Sequence, residues 1–272
     1  MRAFRYAIVV SVQPAQFEAA TFKGDVDQNL AHVAALGYDG AELAIRDPRQ
    51  LDIDALEDMV RRHGLAVPAL GTGQAWGEEG LSFTDPEPEI RHKAVERVKL
   101  HIPVAARFNA VIIIGLLRGI VKPGVSHEQA VEWLVKALQE CATYAAQYGV
   151  RLALEPINRY ETTLINTVAE GLALIDAVGA DNFGLLLDTF HMNIEEPSIE
   201  ESIRRAGERI FHFHVADSNR WYPGAGHLDF RSILRTLKDI GYQGFVSGEF
   251  LPKPDAETAA RKAIEYLCSL DV

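Results

Sequence analysis

A short apolar run that ends in an acid is the feature that most constrains the fold of this chain. Residues 185–187 are all leucine and are followed directly by Asp188. A run this short and this apolar is typical of a strand buried on both faces, as in a parallel sheet covered by helices, although periodicity alone does not separate it from buried helix. If it is a strand, Asp188 stands at its carboxyl end, where parallel α/β folds place their chemistry.

The alternation of an apolar run with a helical pattern recurs along the whole chain. We count eight strand-helix units, and about 30 residues per unit is the size expected of a closed barrel of this kind. The eight strand-like runs are residues 6–12, 41–45, 65–70, 110–114, 150–154, 185–187, 210–213 and 244–247. The sequence therefore predicts a single-domain (β/α)8 TIM barrel over residues 1–272. The alternative, a doubly wound open sheet, lacks a G-x-G-x-x-G motif after its first strand.

Four consecutive strand-like runs of the second half end in side chains that bind metals. The four residues are Glu155, Asp188, His214 and, just past its run, Glu249. Carboxyl ends of barrel strands share one mouth, so three carboxylates and an imidazole would meet there and the carboxylates would repel one another. A divalent cation is the simplest remedy. Oxygen-rich ligation with one histidine favours Mn²⁺, while Mg²⁺, Co²⁺ and Zn²⁺ remain open.

Three long stretches and one later residue of the chain carry a resemblance. They are LEPINRYETTLINT from Leu154, LLLDTFHMNIEE from Leu185, FHFHVADSNRWYPGAGHLDF from Phe211 and the late Glu249. Together they resemble the ketose 3-epimerase family, the D-tagatose and D-psicose 3-epimerases of the xylose isomerase-like group of barrels. The likeness is densest from residue 150 onward. The loops GTGQAW at Gly71 and GLLRG at Gly115 depart from those of the sugar epimerases.

The resemblance implies a TIM barrel that binds one divalent metal through the four strand-end residues and epimerises a sugar at the carbon next to its ketone. It also implies that Glu161, His191 and Arg220 contact hydroxyl and carbonyl oxygens of the substrate. A homodimer or homotetramer is the expected assembly.

The chemistry of such an epimerisation requires two acid/base groups. Removing a proton next to a ketone leaves an enediolate, whose negative charge a metal ion stabilises. Inversion then requires a proton to be delivered to the opposite face of the carbon. Glu155 and Glu249 come from the fifth and eighth strands, and we predict that they form the acid/base pair. The alternative, that both are metal ligands only, stays open.

Arg118 and Trp76 are further candidates for substrate contact. Arg118 lies in the loop after the fourth strand, and Arg46 follows the second strand in the same way. A guanidinium there could bind a carboxylate in a bidentate pair, which favours a keto sugar acid, a ketohexonate or keto-uronate, over a neutral ketose. A surface arginine paired with an acid is the alternative. Trp76, in the long loop of residues 71–84, is expected to close over an apolar edge of the substrate or to pack between subunits.

Two other residues near the predicted mouth are given no ligand role. Glu42 is interpreted as a structural ion-pair partner or as a residue behind the ligands. His212 is expected to face away from His214, into the layer between strands and helices.

Composition limits the partners and the location. The formal net charge of −11 argues against a surface that binds nucleic acid. No apolar run approaches about 18 residues, and the start of the chain lacks a signal-peptide pattern, so a cytoplasmic protein without a membrane span is expected. An aldose-ketose isomerase is the closest alternative activity. A metal nuclease of the endonuclease IV type would need more histidine ligands and a basic groove.

Overall fold

Eight parallel strands close into a barrel in the computed structural model, which describes residues 2–272. The strands pair in sequence order, and β1 pairs with β8 to complete the ring. They are β1 (Arg5–Ser11), β2 (Gly40–Ala44), β3 (Ala69–Gly71), β4 (Val111–Ile114), β5 (Leu152–Leu154), β6 (Phe183–Asp188), β7 (Ile210–Val215) and β8 (Phe245–Gly248). The predicted (β/α)8 barrel is confirmed.

Helices connect the strands and surround the barrel. They are α1 (Val26–Ala35), α2 (Ile53–Arg62), α3 (Gln74–Glu79), α4 (Pro88–Phe108), α5 (His127–Ala146), α6 (Val168–Val178), α7 (Thr189–Glu195), α8 (Ile199–Ala206), α9 (Phe230–Asp239) and α10 (Ala256–Ser269). Most begin at a side-chain cap, as at Ser126, whose side chain accepts from the Gln129 amide, and at Thr167, which forms a capping box with Glu170. No helix in the described part of the chain is both long enough and apolar enough to cross a membrane.

Side chains of each strand alternate between two cores. Leu185 and Leu187 belong to the large core between strands and helices, whereas Leu186 packs inside the barrel with Val111 and Ile113. Since alternate residues share a face, Asp188 is on the same face as Leu186 and points into the barrel. The run that ends in an acid therefore delivers that acid to the mouth.

Two helices lie within segments that the sequence pattern leaves as loops. One is α3, inside the long connection between β3 and α4. The other is α7, which follows β6 at once because the Asp188 side chain accepts a hydrogen bond from the Phe190 amide, 2.7 Å away, and so caps the helix. Both additions stand at the carboxyl end of the barrel, beside the predicted site.

Candidate metal centre and active site

The four predicted ligands converge at the carboxyl end of the barrel. Glu155 follows β5, Asp188 ends β6, His214 lies in β7 and Glu249 follows β8. Each residue offers one ligand atom, and these atoms all lie within 4.8 Å of one another. His214 Nδ1 is 3.9 Å from Glu155 Oε1, 4.0 Å from Asp188 Oδ2 and 3.9 Å from Glu249 Oε2.

The cluster has the properties of a divalent-cation site. Its separations are too long for hydrogen bonds. Glu155 Oε1, Asp188 Oδ2 and His214 Nδ1 are buried, and none has a hydrogen-bond partner among the described residues. Buried polar atoms are almost always paired, and a cation bound between these three ligand atoms would pair all of them. The residues therefore fit a divalent metal ion, with oxygen donors in the majority.

The pKa values of the carboxylates point the same way. Burial raises the pKa of Glu155 well above its ordinary value, and repulsion from Glu249 raises it further. Burial likewise raises the pKa of Asp188, and that of Glu249 to about 7. The positively charged side chains nearby therefore do not fully offset the cost of burying these negative charges. A bound cation would lower the three pKa values and favour the ionised carboxylates.

Glu42 lies behind His214 and fixes its orientation. His214 Nε2 is 2.9 Å from Glu42 Oε2, and His212 Nε2 is 2.7 Å from the same oxygen. Burial alone would lower the pKa of His214, but the Glu42 carboxylate raises it to about 10. These three residues are also close enough to hold an ion, yet their separations are those of hydrogen bonds.

The expectation that His212 faces away from His214 is wrong. The two residues are two positions apart in β7, and residues at that spacing share a face of a strand. Both rings consequently point into the barrel, where both reach Glu42.

Glu161 and Arg220, two of the predicted substrate-contact residues, form an ion pair at the mouth. Arg220 Nη1 is 3.0 Å from Glu161 Oε1, and Arg220 Nη2 is 3.4 Å from Glu249 Oε2. The guanidinium stacks over the Phe190 ring at 4.9 Å from its centroid. Arg220 therefore connects a predicted ligand to a predicted substrate contact.

His191 is held by Asn158, a residue that the sequence reasoning did not identify. The Asn158 carbonyl accepts from the Tyr160 amide at 3.0 Å and its Nδ2 donates to Glu161 at 2.9 Å, which orients its amide group. Nδ2 also lies 2.8 Å from His191 Nδ1, so this nitrogen is the acceptor and Nε2 carries the proton. Burial lowers the pKa of His191 well below its ordinary value. A neutral ring thus presents an N–H toward Glu155, whose Oε1 is 3.7 Å from Nε2.

A cavity of about 320 Å³ lies above the cluster. It is lined by the two predicted acid/base residues, by the three predicted substrate-contact residues and by the predicted tryptophan, namely Glu155, Glu249, Glu161, His191, Arg220 and Trp76. Trp76 belongs to α3, so this helix forms part of the wall. Among the described residues that line the cavity, Arg220 is the single arginine or lysine.

The expectation that Arg118 anchors a substrate carboxylate is wrong. Its side chain is fully buried and is absent from the cavity wall. The guanidinium donates to the backbone carbonyls of Gly115 at 3.0 Å, Leu164 at 3.2 Å and Ile165 at 3.0 Å, and also to that of Glu155. Burial lowers its pKa to about 10. Arg118 is therefore a structural tie between β4, β5 and the loop after β5.

Arg46, the second arginine considered for a carboxylate, is also engaged. Its Nη1 is 2.6 Å from Glu78 Oε2, and its Nε is 3.6 Å from Glu79 Oε1. Both glutamates belong to α3. The arginines that suggested an acidic substrate thus serve the protein's own structure.

Comparison with known proteins agrees with this fold. Residues 30–270 match the family model described as xylose isomerase-like TIM barrel. The chain is 35% identical to the L-ribulose 3-epimerase of Methylomonas sp. over 81% of this chain and 76% of that protein. It is 34% identical to the D-psicose 3-epimerase of Ruminiclostridium cellulolyticum over 83% of this chain and 78% of the relative.

The solved structure of a relative is similar to this chain over the full length of the barrel. The D-allulose 3-epimerase from Methylomonas sp., in complex with D-allulose, superposes with a TM-score of 0.83 at 29% identity, covering 100% of this chain and 98% of that one. The chain belongs to the ketose 3-epimerases, a family of sugar epimerases within the xylose isomerase-like TIM barrels.

Proposed function

We propose that this protein is a divalent-metal-dependent 3-epimerase of neutral ketoses. The observation that carries the proposal is the convergence of unpaired, buried ligand atoms below a cavity that both predicted acid/base glutamates line. The similarity to an L-ribulose 3-epimerase and a D-psicose 3-epimerase suggests the carbon that reacts and the class of substrate. We infer Mn²⁺ as the ion, because the donor set is three carboxylates and one imidazole.

A divalent cation bound by the four ligands would supply Lewis-acid stabilisation of the negative charge that develops on the substrate oxygens. The protein's residues perform the proton transfers. Glu155 and Glu249 project from β5 and β8, so each approaches the substrate from a different side of the mouth. One removes the proton next to the ketone, and the other delivers a proton to the opposite face. Each glutamate has a second carboxylate oxygen for this role beside the one offered to the metal.

The remaining polar residues orient the sugar. His191 presents its Nε2–H as a donor toward Glu155, where a substrate oxygen would accept it. Arg220 and Glu161 offer a donor and an acceptor at the cavity wall. Because Arg220 is already paired with Glu161 and Glu249, it leaves no unpaired cation for a substrate carboxylate. This favours a neutral ketose over a keto sugar acid.

Proton NMR of turnover in D₂O tests the proposal. The Mn²⁺-loaded protein is incubated with neutral ketopentoses and ketohexoses and, separately, with ketohexonates. We expect the C3 epimer of a neutral ketose with deuterium at C3. Formation of an aldose would instead identify an aldose-ketose isomerase, and exclusive turnover of ketohexonates would contradict the substrate class.

A further inference from the structure

Gln74 is a buried residue of the cavity wall whose amide group has one unused atom. It is the first residue of α3, lines the cavity and is 5% exposed. Its Nε2 lies 2.8 Å from Ser11 Oγ, whereas its Oε1 has no hydrogen-bond partner among the described residues. A buried amide oxygen without a partner is rare in folded proteins and requires an explanation.

The neighbouring hydroxyl determines which way the amide faces. Ser11 has a single hydroxyl proton, and it donates this proton to the Gln13 carbonyl at 2.7 Å. Ser11 Oγ therefore accepts from Gln74, so the NH₂ group of Gln74 must face Ser11. With the amide reversed, Gln74 Oε1 would face Ser11 Oγ. Two acceptors would then meet, unless the Ser11 hydroxyl turned its proton toward Gln74 and lost its hydrogen bond to the Gln13 carbonyl. The free atom of Gln74 is consequently a carbonyl oxygen, which can only accept a hydrogen bond.

Open space flanks Gln74 along the wall. Gly73 and Gly77 both line the cavity, and a Cβ added at either would meet nothing within 4 Å. Gly73 has a φ of −58°, which any residue can adopt. Gly77 lies within α3, where alanine is more stable than glycine. Neither position therefore requires glycine for its backbone conformation. The missing side chains leave room along the same stretch of cavity wall as Gln74.

Ion pairs hold the carboxyl-terminal end of α3. Arg97 of α4 forms a bidentate pair with Glu79, at 3.0 and 2.7 Å, and donates to the Arg46 carbonyl at 2.7 Å. Arg46 in turn pairs with Glu78 at 2.6 Å. The helix that carries Gln74 is thus held at its far end by two arginines, which pre-organises the acceptor.

We propose that Gln74 is a specificity-determining residue whose Oε1 accepts a hydrogen bond from a terminal hydroxyl of the ketose, at an end of the sugar remote from the reacting carbon. This inference rests on the proposed function and deepens it. An acceptor at this position binds a hydroxyl and disfavours a carboxylate, since a carboxylate offers no proton. The space beside Gly73 and Gly77 accommodates the terminal carbon that bears the hydroxyl.

The test pairs Gln74→Met with deoxy sugars. Methionine has a similar length but provides no carbonyl oxygen. Steady-state kinetics are measured for wild type and variant, both Mn²⁺-loaded, on a ketohexose and on its 1-deoxy and 6-deoxy forms. In wild type, kcat/KM falls about 10-fold on the 6-deoxy sugar, relative to any loss on the 1-deoxy sugar, as expected for the loss of one hydrogen bond. In Gln74→Met, kcat/KM on the parent sugar falls by a similar factor, and the discrimination against that deoxy sugar disappears.

Several outcomes would overturn the assignment of Gln74. They are equal wild-type activity on the parent sugar and both deoxy sugars, full parent activity in the variant, or unchanged discrimination in the variant. Mn²⁺ affinity and melting temperature are measured on both proteins, and a loss of Mn²⁺ affinity in Gln74→Met that accounts for its loss of activity would also contradict the assignment. Failure of wild type to epimerise any ketose would refute the proposed function itself, a result distinct from these.

Gly77→Ala tests the space beside Gln74. The added methyl group should lower kcat/KM at least about 5-fold more for a ketohexose than for a ketopentose, while the melting temperature rises or stays equal because alanine favours the helix. Gly80→Ala is the matched control, because Gly80 ends α3 with a φ of +69° and does not line the cavity. It should lower the melting temperature without changing sugar preference. Equal effects of Gly77→Ala on both sugars would contradict the role of this space.

Discussion

Glu42 accepts a hydrogen bond from His214 Nε2 at 2.9 Å, while the other ring nitrogen of His214, Nδ1, faces the three carboxylates of the metal cluster. A histidine that binds a metal must present an unprotonated nitrogen to it. The hydrogen bond to Glu42 keeps one proton on Nε2, so Nδ1 is the nitrogen that would give up its proton and offer its lone pair when an ion binds. This carboxylate-histidine pair is formed by β2 and β7, which are not neighbours in the sheet.

Glu42→Gln should weaken metal binding. The amide is a poorer acceptor for the histidine proton, and loss of such a partner costs metal affinity by about 10- to 100-fold. Titration of the metal-free protein with Mn²⁺, followed by electron paramagnetic resonance or calorimetry, measures the effect independently of turnover. Glu78→Gln is the control, because Glu78 also lines the cavity but pairs with Arg46 and not with His214. Equal Mn²⁺ affinities for wild type and Glu42→Gln would refute the orienting role.

Glu155→Gln and Glu249→Gln should each reduce epimerisation by at least about 100-fold, since each removes one acid/base group. We expect one of the two variants to retain exchange of the C3 proton with solvent, because a single base suffices for exchange, and NMR in D₂O detects it. Both variants are saturated with Mn²⁺, and metal content is measured, so that a loss of ligation is distinguished from a loss of proton transfer. Full activity in either variant would rule out the assigned pair.

Arg118→Met should destabilise the protein and should not alter substrate choice. The substitution removes the guanidinium hydrogen bonds to four backbone carbonyls. Those of Gly115 and Ile165 keep a backbone N–H donor, whereas those of Glu155 and Leu164 lose the side-chain donor described here. We expect the free energy of unfolding to fall by at least about 3 kcal/mol, as measured by urea denaturation. Any change in KM should be the same for neutral and acidic ketoses. A rise in KM confined to an acidic substrate would restore Arg118 as a carboxylate anchor.

Asp47 should contribute stability that depends on pH. The hydrogen bond from the Arg49 side chain, 2.7 Å from Asp47 Oδ2, is the main cause that lowers its pKa to about 2 from an ordinary 3.8. A carboxylate with a lowered pKa stabilises the fold above its unfolded-state pKa, and this stability is lost as the pH falls through the folded value. Asp47→Asn should therefore cost about 2 kcal/mol at pH 6.

Urea denaturation of both proteins between pH 6 and pH 2.5 checks this dependence. The difference in free energy of unfolding between wild type and Asp47→Asn should be constant above about pH 5 and should narrow as the pH falls toward 2. A difference that stays constant over the whole range would show that the charge of Asp47 does not contribute.

The barrel and its metal cluster were predictable from the sequence because both follow from local patterns. A buried parallel strand reads as a short apolar run, and a residue at its end is placed at the mouth by the topology alone. Glu155, Asp188 and His214 each stand at such an end. Their convergence needed no knowledge of loop conformation.

The role of Arg118 was not predictable in the same way. Its place after β4 suggested a side chain over the mouth, but the preceding residues form a short 3₁₀ turn, Leu116–Arg118, that brings the guanidinium back under the loop. The carbonyls that it binds, such as those of Leu164 and Ile165, are more than 40 residues away in the chain. A side chain that satisfies distant backbone groups leaves no signal in local sequence.

Asn158 and Gln74 were missed for a related reason. Both are side-chain amides whose role depends on which neighbours bond to the oxygen and which to the nitrogen. Asn158, for example, uses its Nδ2 for both Glu161 and His191. Sequence spacing could have indicated Asn158, which lies three residues before Glu161 in the same loop. Gln74 could be identified only once the position of the short helix α3 in the cavity wall was known.

The anchoring of α3 by Arg46 and Arg97 has a consequence for how this barrel can diverge. The four cluster residues come from the second half of the chain, whereas the wall that carries Gln74 is built and held by the first half. Neither arginine forms an ion pair with a cluster residue. Since both arginines lie outside the β3–α4 connection, only exchange of the longer segment of residues 46–97 between homologous barrels would move this wall together with its anchors, and it would leave the four cluster residues of the recipient in place.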